Sequence, residues 1–175
     1  LNGNEVWSLA GVQSLTVGDV DGDSLGNSYV VHGEYVNNGG TMIKKLDAQG
    51  VLLWELAYPS AGLRIEVGGD DHALVSGLPN SGTAGAAFFK VDAAGAVLWA
   101  NLDADGPLGL LQHAQMLMDA SGNAYLAAGT LFEMAVCKIH GDGSSAWTAT
   151  MSGSGAKGIA LGNSPGSVFV VGGNT

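Results

Sequence analysis

The fold is decided by a ten-residue segment near the middle of the chain, Lys90-Val91-Asp92-Ala93-Ala94-Gly95-Ala96-Val97-Leu98-Trp99. Its centre is an Asp-x-x-Gly sequence, which is typical of a tight turn, and short apolar stretches stand on both sides of it. The segment therefore predicts two antiparallel β-strands joined by a turn, with the tryptophan on the second strand.

The same segment recurs at a regular spacing. The chain has four tryptophans, 45 to 48 residues apart, and a glycine precedes each of them by four positions. The tryptophans are Trp7, Trp54, Trp99 and Trp147. A period of this length is typical of repeat proteins in which each unit is one small supersecondary structure. The sequence therefore consists of copies of one unit.

A second hairpin is predicted between successive tryptophans. In the third copy a turn-forming cluster at 119–123 is followed by the β-favouring run 124–128 and then by Gly129, and the other copies follow the same plan. No window long enough for a helix shows a 3.6-residue period. Each unit is therefore predicted to be four short antiparallel strands joined by tight turns.

Four-stranded sheets of this size cannot bury both faces alone, and stacking them radially solves the problem. We predict an all-β chain that forms a partial or small β-propeller from four-stranded antiparallel blades of 45 to 48 residues, with the tryptophans packed between blades. The single domain is 1–175. Its repeat units are 8–54, 55–99, 100–147 and a partial unit 148–175, with 1–7 as a terminal strand.

Composition excludes several classes of function. The formal net charge is −10, with 16 acidic and 6 basic residues, and a surface of this kind repels nucleic acid and anionic lipid. The single cysteine, Cys137, cannot form an intramolecular disulfide. No apolar stretch approaches the roughly 18 to 20 residues that span a bilayer. We predict no nucleic-acid partner and no membrane insertion.

The two hairpins resemble those of a bacterial β-propeller repeat family abbreviated SBBP. Its copies carry a Lys-Leu-Asp-x-x-Gly-x-x-x-Trp hairpin, similar to 45–54 and 90–99, and an Asp-x-x-Gly-Asn-x-Tyr-Val hairpin, similar to 119–126. This sequence departs from the family where His140 replaces the hairpin aspartate and where the turn 19–27 is longer. The resemblance covers nearly the whole chain. It implies a secreted or cell-surface bacterial protein with no enzymatic role.

The hairpins are also similar to the blades of quinoprotein dehydrogenases, which carry an Asp-x-x-Thr-Gly-x-x-x-Trp pattern and support a quinone and a calcium ion. This chain lacks the threonine, is one residue shorter in the turn, and has no adjacent cysteine pair. It also lacks a Gly-x-Ser-x-Gly elbow and a complete phosphate-binding loop. We therefore predict that the protein is not an enzyme.

One loop has the spacing of a cation site. Asp19, Asp21, Asp23 and Asn27 place oxygen atoms at positions 1, 3, 5 and 9 of one short segment, and this spacing is able to wrap a hard cation. The segment resembles the calcium loops of integrin-type propeller repeats, but Val30 stands where an EF-hand has its bidentate glutamate. The loop predicts a Ca²⁺ site, and an extended solvated turn is the alternative. No other cofactor is predicted.

Three aromatic residues are predicted on loops at the end of the blades where propellers usually bind ligands. Tyr35, Tyr58 and Phe132 are able to stack on sugars, which makes them candidate ligand-binding residues for a glycan. The alternative is that they are exposed or half-buried loop aromatics that bind nothing.

These observations predict a non-enzymatic extracellular or cell-surface scaffold, adhesion or self-assembly module whose partners are other protein chains, including copies of itself. A calcium-dependent carbohydrate-binding propeller is the alternative, and a glycan-active or quinoprotein-like enzyme is a third hypothesis. Since 1–7 supplies the turn and fourth strand of a blade and 158–173 supplies only two strands of another, we expect a piece of a longer propeller or terminal strands that pair with another chain.

Overall fold

A computed structural model of the chain describes residues 16–34, 40–58, 60–79, 86–103, 115–129, 133–152, 154–164 and 166–173. These residues form β-strands and turns, and they include no helix of the length and hydropathy needed to cross a membrane. The strands within them are β1 (Thr16–Gly22), β2 (Ser28–Glu34), β3 (Gly40–Leu46), β4 (Leu52–Tyr58), β5 (Ser60–Val67), β6 (Ala73–Pro79), β7 (Ala86–Val91), β8 (Val97–Asp103), β9 (Gln115–Met118), β10 (Ala124–Gly129), β11 (Glu133–Ile139), β12 (Ser145–Ser152), β13 (Ser154–Leu161) and β14 (Val168–Gly173).

The strands form three antiparallel four-stranded sheets, each in simple sequence order, followed by an antiparallel pair. We call them blade 1 (β1 to β4), blade 2 (β5 to β8), blade 3 (β9 to β12) and blade 4 (β13 and β14). The prediction of an all-β chain with four-stranded antiparallel blades is confirmed. Trp54, Trp99 and Trp147 occupy equivalent positions, because each is paired across the fourth and third strands with a lysine.

The Asp-x-x-Gly turn forms because the aspartate satisfies backbone amides that the turn would leave without partners. In blade 2 the Asp92 Oδ1 atom accepts hydrogen bonds from the amides of Ala94 at 2.9 Å and Ala96 at 2.8 Å. The closing Gly95 has a φ of +89°, a conformation that glycine adopts without strain. The conformation of the turn is thus set by contacts within the hairpin itself.

The hydrophobic core lies between the blades, as radial stacking requires. One cluster joins blades 1 and 2, a second joins blades 2 and 3, and a third joins blade 3 to blade 4. The first two include the largest buried side chains, among them Tyr29, Phe89, Phe88 and Leu126. Each sheet therefore gains its stability from its neighbours, and an isolated blade would expose most of its apolar surface.

The fourth strand of blades 1, 2 and 3 continues beyond its tryptophan. β4 ends at Tyr58, where Tyr58 pairs with Thr41, and β12 ends at Ser152. The stretches 56–62 and 152–158 are therefore mostly strand. One residue separates β4 from β5 and one separates β12 from β13, because the third strands of blades 1 and 3 are long enough to pair with these additional residues.

Candidate functional site

The repeated glycine and tryptophan are four residues apart in sequence, yet they meet across blades. The ring of Trp54 in blade 1 lies on Gly95 in blade 2, where an added Cβ would stand 2.9 Å from the ring. The ring of Trp99 in blade 2 lies on Gly143 in blade 3 in the same way, at 2.7 Å. Both glycines have a φ of +89°, so both the backbone conformation and the space exclude a side chain.

The indole N–H of each of these tryptophans donates a hydrogen bond to the turn of the next blade. The Trp54 Nε1 atom donates to the carbonyl of Ala93 at 3.0 Å, and the Trp99 Nε1 atom donates to the carbonyl of Gly141 at 3.0 Å. Both carbonyls belong to the second residue of the hairpin turn. The prediction that the tryptophans pack between blades is confirmed for these two.

The lysines beside Trp54 and Trp99 each pair with a carboxylate of their own blade and contact a backbone carbonyl of the next blade. The Lys45 Nζ atom lies 2.9 Å from Asp23 Oδ2 and 3.3 Å from the carbonyl of Ala93. The Lys90 Nζ atom lies 2.9 Å from Asp70 Oδ2 and donates to the carbonyl of Gly122 at 3.0 Å. We call the tryptophan and lysine of one blade, together with the turns of the next blade that they bind, the interblade latch.

The ion pair between Lys45 and Asp23 is almost completely buried, with side-chain exposures of 6% and 0%. Burial alone would raise the pKa of the Asp23 carboxyl, but hydrogen bonds from Asn27 and Lys45 outweigh it and hold the pKa below its ordinary value. Burial opposes the charge on Lys45, yet its hydrogen bonds with Tyr29 and Asp23 raise its pKa. Both groups are therefore charged at neutral pH.

Asp23 and Asn27, two of the four predicted calcium ligands, are brought together by the structure. Asp23 Oδ1 accepts from the amides of Leu25 at 3.0 Å and Asn27 at 2.9 Å, and Asp23 Oδ2 accepts from Asn27 Nδ2 at 2.8 Å. Lys45 Nζ lies on the same oxygen, Oδ2, so both oxygens of the Asp23 carboxylate have more than one hydrogen-bond donor. The geometry is that of a capped turn at the start of β2.

Asp19 and Asp21, the other two predicted ligands, lie on β1 and reach the first strand of blade 2. The Asp21 Oδ2 atom accepts a hydrogen bond from the amide of Val67 at 2.7 Å, and Asp19 Oδ2 accepts one from the amide of Ile65 at 3.4 Å. Two carboxylates on β1 thus bind two amides on β5. They join the inner edges of blades 1 and 2 in place of backbone pairing.

The structure therefore divides the predicted calcium loop into a capped turn and an edge contact. In the part of the chain that the structure describes, no group of three or more histidine, cysteine, aspartate or glutamate side chains is arranged to hold a metal ion. Calcium binding by Asp19, Asp21, Asp23 and Asn27 stays a prediction.

A titratable group that the sequence did not single out, Glu66, lies on β5 next to this edge contact. Burial, together with the nearby negative charges of Asp21 and Asp19, raises the pKa of the Glu66 carboxyl to about 7. Glu66 stands between Ile65 and Val67, whose amides those two aspartates bind. A carboxyl that gains its proton near neutral pH is therefore built into the seam between blades 1 and 2.

Stability is expected to fall as the pH rises from about 4.5 to 7, because the folded-state pKa of Glu66 is raised above its ordinary value of 4.5. The contribution of Glu66 to the free energy of unfolding is complete below pH 4.5 and is lost as the pH rises through about 7. Replacing Glu66 by glutamine should raise the free energy of unfolding by roughly 2 kcal/mol at pH 8 and leave it nearly unchanged at pH 4. Urea unfolding at several pH values measures both effects.

The matched control for this variant is Glu55→Gln, because Glu55 lies on β4 with its side chain 53% exposed and makes only a 3.8 Å pair with Lys44. It should leave the pH dependence of stability unchanged. Equal pH profiles for the wild type and the Glu66→Gln protein would show that Glu66 does not titrate in this seam.

Of the three predicted ligand-binding aromatics, one lies in the described part of the chain. Tyr58 is half-buried on β4, not on a loop, and its ring stacks on Phe89 of blade 2 with centroids 4.0 Å apart and planes 21° apart. The face of the Tyr58 ring is thus used for packing between blades 1 and 2. Tyr35 and Phe132 lie outside the described residues.

A cleft of about 440 Å³ lies between blade 3 and blade 4. Asp119, Tyr125 and Lys138 line it from blade 3, and Asn163 and Ser164 line it from the turn between β13 and β14. Its polar lining combines carboxylate, phenol, ammonium and hydroxyl groups, which can donate and accept hydrogen bonds.

Inside the cleft Tyr125 Oη donates to Asp119 Oδ2 at 3.1 Å, and Lys138 Nζ lies 5.1 Å from the centre of the Tyr125 ring. Burial would raise the pKa of the Asp119 carboxyl, but hydrogen bonds from Asn123, Ser121 and Tyr125 hold it below its ordinary value. The hydrogen bond with Tyr125 raises the pKa of Lys138. The cleft therefore presents a fixed positive charge beside a satisfied carboxylate.

The lysines of the interblade latch are the functional residues that the sequence prediction missed. Lys45, Lys90 and Lys138 hold the same position in three copies, and the whole chain has only 6 basic residues. Three of the 6 basic residues thus stand at one position of the repeat, which indicates a structural or binding role. The repetition of the lysine is visible in the sequence, whereas its partners on the next blade are set by the folded structure.

No protein-family model and no curated protein sequence matches the chain. Solved structures do match, including a protein of unknown function from Bacteroides caccae at 19% identity and a TM-score of 0.58, over 87% of this chain and 51% of that one. BamB from Moraxella catarrhalis matches at 18% identity and a TM-score of 0.54, over 79% and 38%. A gluconolactonase from Xanthomonas campestris matches at 18% identity and a TM-score of 0.57, over 89% and 53%.

The chain thus spans about half the length, or less, of these solved proteins. At such identities the likeness shows the fold alone, and the matched proteins carry different names and roles. With the radial stacking of four-stranded sheets, it establishes a β-propeller architecture for this chain.

Proposed function

We propose that this chain is a non-enzymatic β-propeller scaffold that binds other protein chains, in the first place further copies of itself. The residues that recur in its repeat are used to hold one blade to the next, as Trp54, Lys45 and Gly95 do between blades 1 and 2. These residues are therefore engaged in contacts between blades. The surface of the blades is then the part of the molecule that meets a partner.

The observation that carries the proposal is the exposure of Phe169 on β14. The corresponding residues of the three preceding blades, Tyr29, Leu74 and Tyr125, are each 0% exposed, whereas Phe169 is 67% exposed. Val171, two residues further along the same face, is 63% exposed. An apolar face that three blades bury completely and the fourth presents to solvent is suited to binding another protein surface.

The second support is the resemblance of the hairpins to SBBP repeats, which implies a secreted or cell-surface protein. We include that location in the proposal. The composition does not favour this location over another, so the proposed location depends on the resemblance alone.

The proposal is tested by replacing Phe169 with serine and measuring self-association of the 175-residue chain by sedimentation velocity. The matched control is Leu25→Ser, because Leu25 is an equally apolar side chain that is 76% exposed on the turn between β1 and β2 of blade 1 and is not part of β14. The wild-type chain should associate as its concentration rises, and Phe169→Ser should weaken the association at least about tenfold. Leu25→Ser should have no effect.

A wild-type chain that stays monomeric across the concentration range would contradict the proposal. So would association that Phe169→Ser and Leu25→Ser weaken equally, because the face of blade 4 would then have no special part in it.

A further inference from the structure

The residues between the turn glycine and the tryptophan are aliphatic and exposed in blades 1 and 2. The large aliphatic side chains at these positions are Val51, Leu52, Leu53, Val97 and Leu98. Their exposed fractions lie between 40% and 58%. The same positions in blade 3 are Ser144, Ser145 and Ala146. The stretch is therefore aliphatic in two neighbouring copies and small or polar in the third.

Blade 2 shows that this exposure belongs to the rim of the fold. One face of blade 2 packs on blade 1 and the other packs on blade 3, each through a buried cluster. Val97 and Leu98 stay 40% and 47% exposed between these two complete neighbours. Their exposure therefore does not arise from a missing blade.

The two aliphatic stretches border the same blade boundary. The ring of Trp54, which follows Leu53 in the chain, lies on Gly95 of blade 2. The second stretch begins directly after that glycine, at Ala96. The end of one stretch thus lies beside the start of the other. We call residues 51–53 and 96–98 together the rim patch.

Acidic side chains border the rim patch. Asp47 and Asp92 are partly exposed at the start of the turns that lead into it, and each caps its turn through the Oδ1 atom. Glu55 lies on β4 with its side chain 53% exposed, and its Oε2 atom is 3.8 Å from Nζ of Lys44, which is 22% exposed. The two lysines of the interblade latch are 5% and 2% exposed and are paired with carboxylates of their own blades. The border therefore presents mainly negative charge to a partner.

We infer that the rim patch binds a polypeptide segment that carries aliphatic side chains together with lysine or arginine. The aliphatic side chains of the segment cover the patch, and its cations lie against Asp47 and Asp92. The site is formed by blades 1 and 2 and does not include Phe169. It adds a partner of different chemistry to the self-association proposed above.

Charge decides between this partner and the other occupants of an apolar surface. A second copy that docked patch to patch would bring its own Asp47 and Asp92 against the first pair, and like charges across an interface oppose binding. An anionic lipid surface is repelled by the same carboxylates and by the formal net charge of −10. A basic segment gains both the apolar contact and the charge pairing.

The experiment uses the whole 175-residue chain and three labelled synthetic peptides of about 14 residues that share one amphipathic helical spacing. The first peptide combines leucine and lysine, the second has glutamate in place of each lysine, and the third has serine in place of each leucine. Fluorescence anisotropy should show saturable binding of the first peptide. The other two should bind at least about tenfold more weakly, because each lacks one half of the recognition.

The double variant Leu53→Ser with Leu98→Ser should weaken binding of the first peptide about tenfold. Its matched control is Leu25→Ser, which removes a leucine that is 76% exposed close to Asp23 but outside the rim patch, and which should leave binding unchanged. Circular dichroism melting of each variant verifies that it is folded.

Asp92→Asn tests the acidic border separately. Asparagine keeps an oxygen for the amides of the turn and removes the charge. The variant should weaken binding of the first peptide about threefold at low salt and have little effect at high salt, where exposed charges are screened.

Absence of binding by the first peptide, or equal binding of the lysine and glutamate peptides, would overturn the inference. So would equal binding by the wild type and the double variant. Self-association that the double variant abolishes would assign the rim patch to a second copy and would overturn the inference as well.

The two proposals fail separately. If the chain self-associates through Phe169 but binds none of the peptides, the scaffold stands and the basic partner does not. If the first peptide binds at the rim patch of a chain that stays monomeric, the basic partner stands and self-association does not.

Discussion

Replacing Trp99 by alanine is expected to lower the free energy of unfolding by about 3 to 5 kcal/mol. Trp99 packs on the cluster between blades 2 and 3, its ring covers Gly143, and its indole N–H donates to the carbonyl of Gly141. Alanine removes all three contacts and leaves a cavity between two blades. Equilibrium unfolding in urea measures the loss.

The control for this prediction is Trp99→Phe, which keeps an aromatic ring over the glycine and loses the hydrogen bond. Loss of the hydrogen bond should lower the free energy of unfolding by about 1 kcal/mol, in addition to the effect of the smaller ring. A loss below 1 kcal/mol for the alanine variant would mean that the tryptophan does not hold the blades together.

Replacing Asp23 by alanine is expected to destabilise the protein by about 3 to 5 kcal/mol, because it leaves Lys45 buried without its counter-charge. The Lys45 side chain is only 6% exposed, and Asp23 also caps its own turn. Asp47→Ala, which removes a similar turn cap in the same blade but no buried ion pair, should cost about 1 kcal/mol. Thermal and urea unfolding compare the two variants.

Two further measurements sharpen this prediction. The double variant Asp23→Ala with Lys45→Met should recover much of the loss, because no buried charge then remains without a partner. The pKa of Asp23 is held below its ordinary value, so its contribution is present above that value and is lost as the pH falls through the folded-state pKa. The alanine variant should therefore lose part of the acid dependence of stability.

The calcium hypothesis makes a different prediction for the same loop. If Asp19, Asp21, Asp23 and Asn27 hold Ca²⁺, a chelator lowers the melting temperature of the wild type and Asp21→Ala abolishes that difference. If they act as a capped turn and an edge contact, the chelator changes nothing and only Asp23→Ala has a large effect.

The repeat and its strands could be predicted from the sequence because they depend on local chemistry. The turn at Asp92 and Gly95 is formed by hydrogen bonds within five residues, and the same pattern recurs at the spacing of the tryptophans. A period in the sequence then implies stacked units, since one sheet cannot bury its own faces.

The candidate site could be predicted only in part, because the latch contacts between blades join residues 32 to 48 positions apart. Trp54 and Gly95 belong to different copies, and the spacing within one copy does not show that they meet. The carboxylates of Asp19 and Asp21 have the spacing of metal ligands, yet their partners are amides of β5, 46 residues further along. Which backbone groups come within reach is set by blade packing.

Tyr58, predicted to lie on a loop, is the last residue of β4 for a related reason. The sequence places Trp54 near the end of a copy, but the strand continues to Tyr58 because β3 offers Thr41 as its partner. The apolar ring of Tyr58 is then held by stacking on Phe89, a contact with the next copy. A residue that the sequence assigns to a ligand-binding loop is thereby used in the core.

Trp54 and Trp99 each bind the hairpin turn of the next blade, and nuclear Overhauser spectroscopy of the folded chain can observe these contacts. We predict contacts between the indole ring protons of Trp99 and the α-protons of Gly143, and between those of Trp54 and Gly95. Contacts of Trp99 with Gly95 in its own hairpin, and none with Gly143, would contradict it.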